Sequence, residues 1–242
     1  MKLGSSNLKL IFGLIYLIII SVGLYFLFTV VDFKDLTSYE FIRTNKDIIL
    51  NFKNKNFILL SVAFFLFSIV WILLLGFASP LLILAGFVFG KWWGILLSLT
   101  ATSVGASCLY LLAGLFFKDI VEQKLASKFL KLREFFIKND ITYFMLFRFV
   151  GGGGIPYAIQ NVLPVLFNMP LKNYFIATFI GSAPSMFVTV SLGSGIENVI
   201  DQNDKLSISN VASSPEIYLP IAGFFAILIA AFLIKKFYFK NR

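Results

Sequence analysis

Long apolar runs separated by short charged stretches set the pattern of this chain. Leu10–Val31 is 22 residues without a charge, enough to cross a hydrocarbon core of roughly 30 Å at about 1.5 Å per helical residue. Lys2 and Lys9 ahead of it resemble the start of a signal peptide. The run exceeds an h-region of about 7–15 residues and lacks a small-residue cleavage pattern, so it reads as an uncleaved first span. Asp32–Asn56 is polar and mixed in charge. Its Lys34, Arg43, Lys46, Lys53 and Lys55 interleave with Phe41, Ile48, Ile49, Leu50 and Phe52, which predicts an amphipathic helix at the membrane surface.

Phe57–Phe117 carries one charge, Lys91, and is too long for one helix. Phe57–Phe77 predicts a span, Ser79-Pro80 breaks it, and Gly86, Gly90 and Gly94 punctuate the next stretch. Pro80–Gly90 has 11 residues, too few to cross, and predicts a re-entrant segment; Trp92–Phe117 predicts the next span. Lys91-Trp92-Trp93 reads as an interface anchor. Across 118–140, Leu125, Phe129, Leu132 and Phe136 oppose Lys124, Lys128, Lys131 and Lys138, the spacing of a helix lying on the membrane. Ile141–Met169, interrupted by Gly151–Gly154, Pro156 and Pro164 and followed by Pro170, is a second re-entrant candidate. Asn173–Ile196 and Ile217–Ile234 predict two more spans. Segment 118–140 holds six Lys/Arg and the tail four, whereas 197–216 holds Lys205 beside Glu197, Asp201, Asp204 and Glu216. The positive-inside rule then places the C-terminus in the cytoplasm and 197–216 outside.

A shift of 76 residues lays Pro80 on Pro156, Ala101 on Ala177, Thr102 on Thr178 and Gly105 on Gly181. Paired interrupted segments at matching positions point to the central site of a transporter built from inverted repeats. The expected fold is therefore an all-α polytopic membrane protein, with two re-entrant hairpins in an inverted repeat packed by about five transmembrane helices. Residues 1–56 form the first span and polar connector. Residues 57–196 form the core with both re-entrant segments, and 197–242 the external loop, last span and basic tail.

Composition agrees with the pattern. The chain is 59% hydrophobic with mean hydropathy +0.89, against roughly 45–50% apolar residues in soluble domains. Its 242 residues leave room for one membrane domain and no separate soluble one. The net charge of +9 lies mostly in loops beside the spans, where anionic headgroups favour Lys and Arg. No basic stripe stands apart from the spans, which argues against a nucleic-acid partner. Cys108 is the one cysteine and histidine is absent, which excludes an intramolecular disulfide, Cys/His metal sites and a His-based dyad. No metal or other cofactor is expected, and a homo-oligomer is compatible with the sequence.

One residue carries candidate chemistry. Between Ile141 and Ile196 the only charges are Arg148 and Lys172, and no Asp or Glu is there to pair them. A charge in hydrocarbon costs roughly 2.5–3.5 kcal/mol on insertion scales. Irregular backbone at that depth needs surrounding protein or a watery cavity. Arg148 followed by Gly151, Gly152, Gly153, Gly154 and Pro156 thus suggests a broken helix lining a polar pocket, with the glycine run as a nest of N–H groups and an anion as ligand. Asn161 would orient a phosphate or satisfy freed backbone groups. The plainer alternative has Arg148 snorkelling to the interface about 12 Å away. Pro80 and Pro156 read as helix breakers, and Gly86, Gly90, Gly105 and Gly181 as close-packing positions, with Pro184 on the last core helix.

The pattern Pro80-x5-Gly86-x3-Gly90-x3-Gly94, a later Gly105, Arg148-x7-Pro156-Tyr157-x3-Asn161, and Pro170-x10-Gly181-x2-Pro184 resembles the VTT domain. That domain defines the SNARE-associated Golgi protein superfamily, which includes the bacterial DedA-like membrane proteins. The resemblance covers about Leu75 to Gly195. It implies two re-entrant hairpins meeting near mid-membrane, and scrambling of phospholipids or recycling of polyprenyl-phosphate carriers. There are departures. No Asp or Glu occurs between Lys55 and Asp119, where DedA-like members carry acids tied to proton coupling. Gly114 stands where the family pattern expects an arginine beside Tyr110, Gly151 where it expects proline, and Val165 near an expected glycine. The chain looks like a divergent member of the yeast-Golgi-type branch, placed in a bacterial plasma membrane.

The leading expectation is a transporter or scramblase of phospholipid or polyprenyl-phosphate-type lipids, not an enzyme, with the headgroup bound near Arg148. Its partners would be membrane lipids bearing an anionic headgroup or lipid phosphate. Alternatives are a small-solute or ion transporter using the same cavity, and a non-transporting scaffold in membrane homeostasis.

Overall fold

A computed structural model describes residues 5–30, 39–74, 78–116, 118, 139–150, 154–201, 215, 218–226 and 229. Every element among the described residues is helical: α1 (Ser5–Val30), α2 (Tyr39–Lys55), α3 (Phe57–Leu73), α4 (Ala78–Phe116), α5 (Asp140–Phe149), α6 (Tyr157–Val162) with a 3-10 continuation at Leu163–Phe167, and α7 (Leu171–Asp201). Residues 218–226 are also helical. The expected surface helix at 118–140 falls almost wholly outside the described residues, as does part of the last span. The chain divides into two compact units, one of Met1–Ala78 with Leu97–Ser182, the other of Ser79–Leu96 with Ala183–Arg242.

In the first unit, α1 includes Ser5 to Lys9 ahead of the apolar run. The Tyr16 hydroxyl donates to the Leu73 carbonyl at the end of α3, giving that helix end a partner for one of its orphaned acceptors. The polar connector is helical as α2, and its Asp47–Lys55 portion meets α3 at 104°. Ile48 and Phe52 of α2 are exposed, in keeping with a helix on an apolar–polar boundary. The core gathers Ala106, Tyr110 and Ala113 of α4, Phe144 of α5, Leu163, Val165 and Leu166 of the 3-10 turn, Met169, and Tyr174 and Ala177 of α7. Tyr110 donates to the Met169 carbonyl at 2.6 Å and stacks on Tyr174 at 4.7 Å between centroids.

In the second unit, α4 is broken at Gly90, whose φ of 75° and ψ of 176° lie where essentially only glycine goes. Nothing lies within 4 Å of a β-carbon built there, so Gly90 serves backbone conformation and not packing, which corrects the packing expectation. A β-carbon on Gly94 would stand 2.7 Å from the Ala85 carbonyl oxygen. In a straight helix those residues would be about 13 Å apart along the axis, so the chain folds back at Gly90. The 12 residues before it (78–89) reach about 18 Å, too short to cross. This hairpin lies backbone to backbone on α7. A β-carbon on Gly86 would fall 1.9 Å from the Val190 carbonyl, and one on Gly193 would fall 2.0 Å from that of Ile83. Pro80 sits exposed in the first turn of α4, where a missing N–H costs nothing. Pro184 lies inside α7.

The 76-residue repeat extends well beyond sequence identities. Helix α3 ends at Leu73 and α5 at Phe149, in register. The cap of α3, Leu74 (φ −75°, ψ 15°), donates to the Ile72 and Val70 carbonyls; the cap of α5, Val150 (φ −82°, ψ 17°), donates to those of Arg148 and Leu146. A β-carbon on Gly105 would crowd Ile72 and Ile69, and one on Gly181 would crowd Arg148 and Met145. Every one of these pairs is offset by 76 residues. By length and composition, Leu171–Gly195 is a candidate membrane span, and neither α5 nor Tyr157–Phe167 is long enough to cross alone.

Candidate functional site

Helix α5 opens on Asn139, whose side chain accepts from the Thr142 N–H at 3.1 Å, a cap that fixes where the helix begins. Asp140 comes next, accepting from Asn173 Nδ2 at 3.0 and 3.2 Å, which ties the start of α5 to α7. Phe144 and Arg148 then lie four residues apart on one face, and both are buried, Arg148 at 3% exposure. The close approach at Gly181 lets that face seat directly on α7. Arg148 therefore does not snorkel to a surface; its side chain is enclosed by protein.

Three neutral oxygens receive the guanidinium. Nη1 donates to Gln160 Oε1 at 3.2 Å, and Nη2 donates to Asn161 Oδ1 at 2.5 Å and to the Tyr174 hydroxyl at 3.1 Å. The rings of Phe144, Tyr157 and Tyr174 lie 4.9, 5.5 and 5.9 Å from its central carbon, within reach of cation–π attraction. Among the described residues no carboxylate pairs with it. Nε is buried without a hydrogen-bond partner, and Asn161 Nδ2 and the Tyr157 hydroxyl, also buried, lack a hydrogen bond of ordinary geometry. Neutral acceptors orient a guanidinium but leave its charge uncompensated.

Positioning is local. Pro156 is exposed and caps α6, its carbonyl accepting from the Gln160 N–H at 3.0 Å. It starts the helix that carries Gln160 and Asn161. Gln160 is held in turn by donating from Nε2 to the Ile155 carbonyl at 2.6 Å. Asn168 closes the 3-10 segment in the left-handed region (φ 48°), a conformation asparagine tolerates, and Pro170 leads into α7.

Of the residues singled out from sequence, the structure brings Arg148 and Asn161 together and sets Gly181 behind them. Gly154 is exposed with φ of 80° and is not among the guanidinium's partners; Gly151, Gly152 and Gly153 lie outside the described residues. Gly105 belongs to the equivalent contact one repeat earlier, while Pro80, Gly86, Gly90 and Pro184 belong to the other unit. Sequence reasoning missed Gln160, Tyr174, Phe144 and the ring of Tyr157. Two signals were available: Phe144 is one helical turn before Arg148, and Tyr174, Thr178 and Gly181 share a face of one helix.

A family profile described as the VTT domain matches residues 59–195, more than half of the chain. A transmembrane protein 41 homolog of Caenorhabditis elegans is 29% identical over 174 residues, covering 69% of this chain and 68% of that protein. Transmembrane protein 41B of Xenopus tropicalis is 29% identical over 196 residues, covering 77% and 67%. The human protein of that name is 27% identical over 167 residues, covering 66% of this chain and 56% of its own length. No solved structure matches. An integral membrane chain with interrupted apolar helices, the repeated glycine contacts and this profile thus belongs to the VTT domain family, with the transmembrane protein 41 proteins among its relatives.

Proposed function

We propose that the chain binds and moves membrane lipids through their phosphate headgroups, phospholipid or polyprenyl phosphate, with Arg148 as the anion ligand. The observation that carries this reading is a 3%-exposed guanidinium held by neutral oxygens, with Nε unpartnered. A phosphate oxygen accepting from Nε would supply the missing charge, and Asn161 Nδ2 and the Tyr157 hydroxyl offer further donors in the same cluster. Pro156 keeps a supporting part in this reading, by starting the helix that carries Gln160 and Asn161. No bond to the substrate is made or broken, so no enzyme activity is proposed.

The loop charges carry over as an orientation with the C-terminus cytoplasmic. The relatives compared are animal proteins, and they lend no support to a bacterial plasma membrane. Translocation of fluorescent phospholipid and polyprenyl-phosphate probes in proteoliposomes tests the function. Transport by the wild type and its loss in Arg148→Gln is the expected result. Equal rates in both proteins would end the proposal, and transport of neither probe would favour a small solute or a scaffold.

A further inference from the structure

The second unit holds a cavity of about 360 Å³ lined by Lys91, Phe187, Pro215, Leu219, Pro220 and Phe224, with Pro184 and Gly223 completing the wall. All of these residues lie within that one unit, and none takes part in the Arg148 cluster. The volume falls in the range that takes a small ligand, roughly 300–1,000 Å³. Its walls are mostly apolar, and Lys91 is the one charged residue among those lining it.

Lys91 sits 6.0 Å from the Trp92 ring centroid, Trp92 is 74% exposed, and Trp92 packs against Phe187 at 5.7 Å. Lys-Trp clusters of this kind lie at headgroup depth in a membrane. The cavity therefore has a cation at the interface and hydrocarbon walls behind it. A molecule complementary to both is an amphiphile with an anionic head and an alkyl tail, and in a bilayer that molecule is a lipid.

We propose that this cavity is a second lipid site, which retains one anionic membrane lipid with its headgroup on Lys91 and part of an acyl chain against Phe187, Leu219 and Phe224. It is separate in residues from the translocation reading and stands or falls without it. Gly223 provides a clean probe. Nothing lies within 4 Å of a β-carbon built there, so Gly223→Phe adds bulk to the cavity wall with no clash at the β-carbon.

The test is native mass spectrometry of the full chain, after exchange into detergent with phosphatidylglycerol or phosphatidylcholine of matched acyl chains. Wild type should retain a phosphatidylglycerol at this site, preferred severalfold over phosphatidylcholine, since both phosphates can accept from Lys91 but the choline cation opposes the ammonium. Lys91→Gln should erase the preference, and Gly223→Phe should cost one retained lipid of either kind, whatever lipid the Arg148 site holds. Equal retention of the two lipids by wild type, or unaltered retention in both Lys91→Gln and Gly223→Phe, would overturn the proposal. So would loss of the phosphatidylglycerol preference in Arg148→Gln with Lys91 intact, which would place the preference at the other site.

Discussion

Gly181 touches Arg148: a β-carbon on the glycine would stand 2.9 Å from the arginine β-carbon and 2.4 Å from the Met145 carbonyl oxygen. The helix bearing the cation rests on this one bare position. Gly181→Ala should therefore push α5 off α7, destabilising the protein by about 1–3 kcal/mol through overpacking and lowering transport with it. Gly105→Ala is the internal control. Its neighbours, Ile69 and Ile72, stand at 3.1–3.4 Å, and the gain of about 1 kcal/mol in helix propensity offsets a small adjustment. Thermal unfolding in detergent should rank Gly181→Ala well below Gly105→Ala; equal midpoints would refute the argument.

Arg148→Met removes the buried charge and takes from Asn161 Oδ1 its 2.5 Å donor, leaving it the 3.4 Å contact from the Tyr174 hydroxyl. An unsatisfied buried acceptor costs about 1–3 kcal/mol, so the single variant should lose stability. Arg148→Met with Asn161→Leu replaces both partners by apolar groups and should recover most of that loss. A double-mutant cycle reads the coupling directly. Additive losses would mean that the two side chains are not energetically paired.

Tyr174→Phe separates orientation from packing. The phenyl ring keeps its stacks on Tyr110 at 4.7 Å and Phe144 at 5.3 Å. What goes is the hydroxyl, which accepts from Arg148 at 3.1 Å and donates to the Asn161 carbonyl at 3.3 Å. Stability should fall by only about 1 kcal/mol, while probe translocation falls severalfold as the guanidinium loses one of three anchors. Arg148→Lys should do worse, because a single ammonium cannot serve three oxygens in a planar fork. Retained transport in the lysine variant would show that charge alone suffices.

Much of this architecture was legible in the sequence, for identifiable reasons. A cation in a stretch with no acid marked Arg148, and helix breakers on both sides marked the interrupted segments. The repeat showed through Pro80 and Pro156 and through the small residues that close approach demands. Partner choice did not show. Whether Arg148 meets Asn161, Gln160 or a glycine nest depends on where α6 begins, and the Pro156 cap sets that only in three dimensions. Gly90 read as one packing glycine among several. Its positive φ is a tertiary outcome, visible once the hairpin returns against Ala85.

Gly90→Ala meets no neighbour within 4 Å, so any loss it causes is conformational. A β-carbon at φ of 75° and ψ of 176° costs about 1–3 kcal/mol, partly offset by the reduced freedom of the unfolded chain. The expected midpoint is lower than that of wild type, with the loss confined to the unit holding the hairpin. Hydrogen exchange checks the localisation: protection should fall across 79–96 and remain across 140–149.

The register also predicts an asymmetry between the halves. Ile72 occupies the position that Arg148 holds 76 residues later, and it is fully buried. The positions matching Phe144, Gln160, Asn161 and Tyr174 hold Ser68, Leu84, Ala85 and Ser98. Ser68 and Ser98, in the same unit as Ile72, carry hydroxyls and no amide. Ile72→Arg would bury a cation without the acceptors that hold Arg148, a change worth several kcal/mol against folding. Ile72→Met conserves volume and should cost less than about 1.5 kcal/mol. Folded yield by size-exclusion chromatography should collapse for the arginine variant and hold for the methionine one. A well-folded Ile72→Arg protein would mean that the first half offers a polar site of its own, and that the acceptors around Arg148 are not what makes its burial tolerable.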